Sequence, residues 1–226
     1  MAGILNGIYH DVVGVIHINK PTHVMIGEVL LEFARERFGL ILRRDAFLLG
    51  CVLPDYGIQF ITKPHIQKNY DLYVKKRIEQ LLNAEPDPAL AGSAYSRRIG
   101  IICHFYADFF CCPHSRNMYC GVSNHVKYER ELWHFMQEYL NSFRINKYKS
   151  NTTIHQITDW KKLNSEFIFS RFEAFHSEYL KEEPSFETDL RYTIDASAEM
   201  LEMTLYASAR TANEQNPILM SVLQGI

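Results

Sequence analysis

Apolar residues recur at every third or fourth position along most of this chain, which is the spacing of amphipathic helices rather than of strands. The first clear example starts at Thr22, a suitable N-terminal cap, and stops at Gly39, with Ile26, Leu30 and Phe33 forming one apolar stripe. Strand-like alternation has little support anywhere in the sequence. The same helical pattern predicts further helices over residues 43–52, 70–83, 91–112, 124–140, 160–181 and 187–213.

The helix predicted over residues 91–112 is expected to be central, because it is apolar on most sides from Ile99 onward. Pro113 ends this helix. The stretch "RNMYCGVSN" that follows predicts a loop, and its last residue, Asn124, is suited to cap the next helix. No linker divides the chain. We therefore predict an all-α fold, a single-domain helical bundle that spans residues 1–226.

The composition is ordinary for a folded protein, with 47% hydrophobic and 22% charged residues. The formal net charge of -2 gives no sign of a nucleic-acid-binding surface. The five cysteines show no CxxC pair, so any metal would be held by nitrogen and oxygen atoms. We expect these cysteines to be free thiols.

The N-terminal segment is apolar in places but does not resemble a secretory signal. It lacks a basic start, and Asn6, His10 and Asp11 interrupt the apolar run. No uninterrupted apolar stretch is long enough for a transmembrane helix. We therefore expect a cytoplasmic protein without a transmembrane segment, and nothing in the sequence specifies an oligomeric state.

Histidine and carboxylate side chains lie one helical turn apart at two points of the sequence. His104 and Asp108 share one face of the predicted central helix, and His125 and Glu129 repeat this arrangement on the next helix. Two helices that each offer a nitrogen and an oxygen ligand can converge on one metal cluster, and zinc is the metal that this donor set suits best. Three further candidates come from the connecting segments: Asp55, His65 and His114.

Each of these residues taken alone has an ordinary structural explanation. A buried histidine is more often a hydrogen-bonded core residue than a ligand, Asp55 could cap the turn after Pro54, and Glu129 could face water. The metal interpretation gains weight from Asp108, which lies among four aromatic residues, where an unpaired carboxylate would be very costly. Residue types and periodicity together leave both interpretations open.

The order and spacing of the candidates resemble the zinc-dependent phospholipase C family, whose wider superfamily includes the S1/P1-type nucleases. The pattern is His104-x3-Asp108-x5-His114-x10-His125-x3-Glu129, preceded by "THVMIGEVL", "LGCVLPDY" and "KPH". The resemblance covers residues 22–133. It implies a helical bundle of the phospholipase C/P1 nuclease type, with a metal cluster between the helices.

The resemblance also implies a role for each candidate. In secreted members of the family, an N-terminal tryptophan completes a third zinc site. No tryptophan precedes His23 in this chain, so the resemblance supports two zinc ions and leaves the third site open. The implied ligands are Asp55, His65, His104 and Asp108 for the first ion, His114, His125 and Glu129 for the second, and Asp108 with His23 for the third.

The implied activity is that of a zinc-dependent hydrolase acting on phosphodiester bonds, with Asp55 as the general base and a zinc-activated water as the nucleophile. A phospholipid headgroup is the favoured substrate. S1/P1-like nuclease activity is the first alternative. The second alternative is a metal-stabilised helical binding protein without turnover, which the missing tryptophan favours.

Overall fold

The computed structural model describes residues 21–38, 42–57, 63–83, 92–115, 121–142 and 163–215. All regular secondary structure in these ranges is helical, which confirms the all-α prediction. A 3-10 turn, Leu53–Asp55, follows the second helix. The α-helices are α1 (Pro21–Phe38), α2 (Arg44–Val52), α3 (Gln67–Leu82), α4 (Ser93–Phe109), α5 (Cys112–Ser115), α6 (Gly121–Ser142), α7 (Ser165–Tyr179) and α8 (Phe186–Gln215).

Helix α4 is the central helix, as its apolar pattern predicts. Every residue from Ile99 to Phe109 is buried. Helices α1, α2, α3 and α8 pack around it. Long α8 also contacts α7 and α1, where its buried Glu199 and Glu202 accept hydrogen bonds from Arg171 and Arg37. Within the described ranges, no helix combines the length and the apolar character needed to cross a membrane.

Helices α2 and α4 approach each other so closely that their crossing has room only for glycine. A Cβ atom added to Gly100 would lie 2.1 Å from the carbonyl oxygen of Phe47, and one added to Gly50 would lie 2.3 Å from the carbonyl oxygen of Arg97. Both obstacles are backbone atoms, which cannot rotate away. The two glycines therefore set the distance between the helix backbones, and this distance brings the end of α2 next to His104.

The central helix ends three residues earlier than predicted. Its last residue is Phe109, and the chain turns at Phe110 before the single turn of α5 begins. Proline lacks an amide hydrogen and its ring clashes with the carbonyl four residues earlier, so Pro113 is tolerated only in the first turn of a new helix. The break redirects the chain and places His114 on α5.

Other helix boundaries also differ from the sequence predictions. Helix α1 already includes Pro21, so Thr22 lies inside the helix, and the predicted stop at Gly39 lies outside the described residues. Helix α6 begins at Gly121, so Asn124 is not its cap. Helix α7 begins after Asn164, whose side chain accepts a hydrogen bond from the amide of Phe167 at 2.9 Å and caps the helix.

The cysteines in the described ranges are buried and form no disulfide. Burial raises the pKa of the Cys51 and Cys103 thiols above their ordinary value. These side chains therefore act as small core residues, and Cys120 lies outside the described residues.

Candidate metal centre

All eight predicted ligands meet at one end of the helical bundle, where six different elements converge. Helix α1 supplies a residue from its first turn, the 3-10 turn and the segment before α3 supply one each, α4 and α6 supply two each, and α5 supplies the last. Each side chain has a nitrogen or oxygen atom within 4 Å of another member of the set. In chain order they are His23, Asp55, His65, His104, Asp108, His114, His125 and Glu129.

The carboxylate of Asp108 lies at the centre of this set. Its Oδ2 atom is 2.8 Å from His65 Nδ1 and 3.1 Å from His104 Nε2. Its Oδ1 atom is 3.3 Å from His23 Nε2 and 3.8 Å from His114 Nε2. Burial alone would raise the pKa of Asp108, but His104, His114 and His23 lower it well below its ordinary value. The carboxylate is therefore ionised despite being surrounded by the core.

His104 is fixed from both sides. Its Nδ1 atom lies 2.9 Å from the carbonyl oxygen of Cys51, the residue that the α2–α4 crossing brings close. A carbonyl accepts only, so Nδ1–H donates to it, and this bond turns Nε2 towards Asp108, where it could also bind a metal. The ring stacks on His23, with 4.2 Å between the ring centres. Burial alone would lower the pKa of His104, but the charge of Asp108 and their hydrogen bond raise it. For His23, burial and the neighbouring His104 lower the pKa.

Asp55 approaches the same histidines from the 3-10 turn. Its Oδ1 atom is 3.8 Å from both His65 Nδ1 and His104 Nε2, and its Oδ2 atom is 3.9 Å from His23 Nε2. These distances are too long for direct hydrogen bonds and are compatible with an ion between the side chains. We refer to His23, Asp55, His65, His104 and Asp108 as the buried group.

A second set of ligand atoms lies on the other side of Asp108. His125 Nε2 is 2.9 Å from His114 Nε2 and 3.0 Å from Glu129 Oε1, and His114 Nε2 is 3.5 Å from the same Glu129 atom. His114 is itself buried, but His125 and Glu129 are more accessible than the buried group. The side chain of His104 is fully buried, whereas those of His125 and Glu129 are 33% and 19% exposed. We refer to His114, His125 and Glu129 as the open group.

The donor atoms fit zinc. Three combinations of side chains each place all their ligand atoms within 4.8 Å of one another. Zinc binds nitrogen and oxygen at about 2.0–2.2 Å, so two ligand atoms on one ion lie roughly 3 Å apart. The 2.9 Å spacing of the His114 and His125 nitrogens is close to this value. The combinations are His23 with His104 and Asp108, Asp55 with His65 and His104, and His114 with His125 and Glu129.

One member of the site could not be found from residue types. The carbonyl of Cys51 orients His104, yet a backbone carbonyl leaves no signature in a sequence. The only indirect signal is a pair of glycines near the two residues of this hydrogen bond. Gly50 directly precedes Cys51, and Gly100 lies four residues before His104. The role of the eight side chains as metal ligands stays a prediction, although their positions are those that a shared metal centre requires.

Comparison with known families agrees with this arrangement. A family model described as zinc dependent phospholipase C matches residues 22–186, well over half of the chain. The matched segment begins just before His23 and extends beyond Glu129, so it contains both groups. Searches of curated proteins and of solved structures gave no match. Since the match spans the central helix, both groups of candidate ligands and α7, the chain belongs to the zinc-dependent phospholipase C family.

Proposed function

We propose that this protein is a zinc-dependent phosphodiesterase whose substrate is a phospholipid headgroup ester. The observation that carries the proposal is the position of Asp108, whose Oδ2 atom faces the buried group and whose Oδ1 atom lies near both His23 of the buried group and His114 of the open group. Ions held by the two groups would therefore share one carboxylate. Close pairs of metal ions of this kind suit reactions in which a phosphodiester is displaced in line.

Both groups of ligands would hold zinc, but only the open group would be accessible to substrate. Zinc held by these residues would supply positive charge to neutralise the phosphate and to activate a water molecule. The buried group, with His104 fully enclosed, holds its part of the centre away from solvent. The open group lies at the accessible edge, so the phosphate would approach from the side of α6, next to His125.

Asp55 is the proposed general base. Its carboxylate is placed by the short 3-10 turn that contains Pro54, and its oxygens lie 3.8–3.9 Å from nitrogens of three histidines. A carboxylate in this position can accept a proton from the attacking water while it helps to hold the metal. This dual role needs no serine or cysteine nucleophile, consistent with the buried, protonated thiols.

The proposal is tested by metal content and hydrolysis measured on the same sample. We expect zinc-loaded protein to release nitrophenol from a nitrophenyl phosphocholine and to cleave phospholipid vesicles, with activity lost on chelation and restored by zinc. Single-stranded nucleic acid serves as the competing substrate, and its preferential cleavage would favour a nuclease. Zinc-loaded protein that hydrolyses none of these substrates would contradict turnover. Crystals grown with zinc that show no anomalous signal near His104 and Glu129 would contradict the metal centre itself.

A further inference from the structure

Asp189 lies in the first turn of α8, three residues beyond the end of the family match. The residue is 1% exposed, and its carboxylate accepts three hydrogen bonds from three other helices. Oδ2 accepts from the backbone amide of Cys112 and from the hydroxyl of Tyr128, both at 2.8 Å. Oδ1 accepts from the hydroxyl of Tyr179, also at 2.8 Å. A buried carboxylate that satisfies three donors joins α5, α6 and α7 at one point.

Two of these hydrogen bonds lead directly to the open group. Cys112 begins α5 and precedes His114 by two residues. Tyr128 is next to Glu129 and lies one turn after His125, so its bond to Asp189 fixes the rotation of α6 about its axis. The third bond leads there indirectly, since the hydroxyl of Ser115, the last residue of α5, lies 3.2 Å from that of Tyr179.

The open group needs such support because one of its two elements, α5, is weakly determined. Helix α5 is only four residues long, and a helix of one turn has no stability of its own. On α6, the ring of Tyr128 packs against the ring of Phe186, the first residue of α8, with 4.9 Å between the two ring centres. The first turn of α8 thus supplies both an apolar contact and a carboxylate to the segment that carries the open group.

We propose that Asp189 is a positioning residue for the open group: it holds α5 and α6 so that His114, His125 and Glu129 converge on one ion. This inference rests on the proposed zinc centre. Asp189 acts on the ligands through its hydrogen bonds to Cys112 and Tyr128. Side chains that orient metal ligands from behind commonly contribute 10-fold to 100-fold in metal affinity.

The first experiment compares Asp189→Ala with Glu199→Ala. Glu199 is a buried carboxylate on the same helix, and it binds Arg171 rather than the segments of the open group. We expect Asp189→Ala to weaken zinc binding at the open group about 10-fold to 100-fold, with the ion of the buried group retained at wild-type affinity. Glu199→Ala should lower thermal stability and leave both ions in place. Competition with a chromophoric chelator and the absorption spectrum of cobalt-loaded protein measure the two sites.

The outcomes separate this role from a general structural one. Wild-type affinity at the open group in Asp189→Ala, or an equal loss in Glu199→Ala, would overturn the proposal. If Asp189→Ala does not fold, the Tyr128→Phe variant tests the positioning role instead, because it removes one hydroxyl that Asp189 accepts from and keeps the ring. We expect Tyr128→Phe to weaken the open site several-fold, and unchanged binding in this variant would also overturn the positioning role.

A measurement on zinc-free protein distinguishes failure of this inference from failure of the proposed function. Hydrogen exchange of the backbone at residues 112–115 and 125–129 should be faster in Tyr128→Phe than in wild type, whether or not zinc ever binds there. A wild-type protein that takes up no zinc at the open group would refute the zinc centre, while faster exchange would still support the role of Asp189 in holding these segments. Unchanged exchange would refute that role as well.

Discussion

The buried and open groups share Asp108 but are held in place by different means. The buried group depends on backbone packing: α2 and α4 touch at Gly50 and Gly100, and a carbonyl of α2 orients His104. The open group depends on side-chain hydrogen bonds that reach a single-turn helix and one face of α6. Core packing therefore positions the buried group, whereas side-chain hydrogen bonds position the open group.

This difference implies that folding and metal binding are coupled to different extents in the two groups. Changes to His104 and Asp108 of the buried group should alter the stability of the whole protein, because these two side chains are enclosed in the core. Changes to the open group should alter metal affinity with little effect on stability, because His125 and Glu129 are partly exposed. Substitutions can test each half of this statement separately.

The largest effect is expected from Gly100→Ala, which should destabilise the protein by about 3 kcal/mol or more. The added Cβ would lie 2.1 Å from the Phe47 carbonyl, so α2 must move away from α4. Gly27→Ala is the matched control. Its Cβ would meet only side-chain atoms, the end of Leu48 at 2.7 Å and Cys51 Sγ at 3.2 Å, which can shift, and we expect a loss of about 1 kcal/mol. Denaturant unfolding measures both, and equal effects would contradict a backbone-determined crossing.

His104→Ala should destabilise zinc-free protein by about 3 kcal/mol, because it leaves the buried Asp108 carboxylate with weaker compensation. It should also abolish zinc binding by the buried group. His125→Ala removes a side chain that is 33% exposed, and it should change stability by about 0.5 kcal/mol or less while the open group loses its ion. Comparable destabilisation in the two variants would show that the buried and open groups are not held differently.

Asp55→Asn should slow phosphodiester hydrolysis about 100-fold or more, the usual contribution of a general base. The amide keeps the shape and one ligating oxygen, so we expect near-wild-type thermal stability and partial retention of zinc. The comparison is made with wild type at matched zinc, with metal content determined on the same samples. An unchanged rate would remove Asp55 from the role of base and leave it as a ligand of the buried group only.

Two members of each group could be predicted because their information is local. His104 and Asp108 are four residues apart on one strongly periodic helix, so their shared face follows from helix geometry alone. The same reasoning applies to His125 and Glu129. The all-α fold is equally local, since it needs only the period of apolar positions.

What the sequence did not reveal depends on contacts between distant parts of the chain. The position of α5 is set by Asp189, 77 residues after Cys112, and no local pattern links the two. The close crossing at Gly50 and Gly100 likewise depends on tertiary packing. The predicted boundary of α4 at Cys112 was wrong, because the chain already turns at Phe110 and Pro113 lies in the first turn of α5.

Substitution of a residue outside both groups, Asp195 on α8, distinguishes an effect on stability from an effect on metal binding. Burial raises the pKa of Asp195 to about 6, an effect that Arg191 opposes and Glu199 reinforces. Because this pKa is higher in the folded than in the unfolded chain, the associated stability is present below pH 3.8 and is lost as the pH rises towards about 6. Asp195→Asn should therefore raise the free energy of unfolding by about 2 kcal/mol at pH 8 and change it little at pH 4. Zinc affinity at both groups should not change, and a shift in either would show that α8 couples them to the core.

The smallest effect, about tenfold in affinity, is expected between the two groups of the wild-type protein. As a chelator is added, the ion of the open group should leave first, since His125 and Glu129 are partly exposed and α5 is a single turn. The ion of the buried group should leave later, and the melting temperature should fall mainly at that second step, because bound metal stabilises the folded state. His125→Ala provides the control: it should lack the first step and keep the second. Release of both ions in one step would show that Asp108 couples the two groups strongly. Release from the buried group first would contradict the predicted order of affinities.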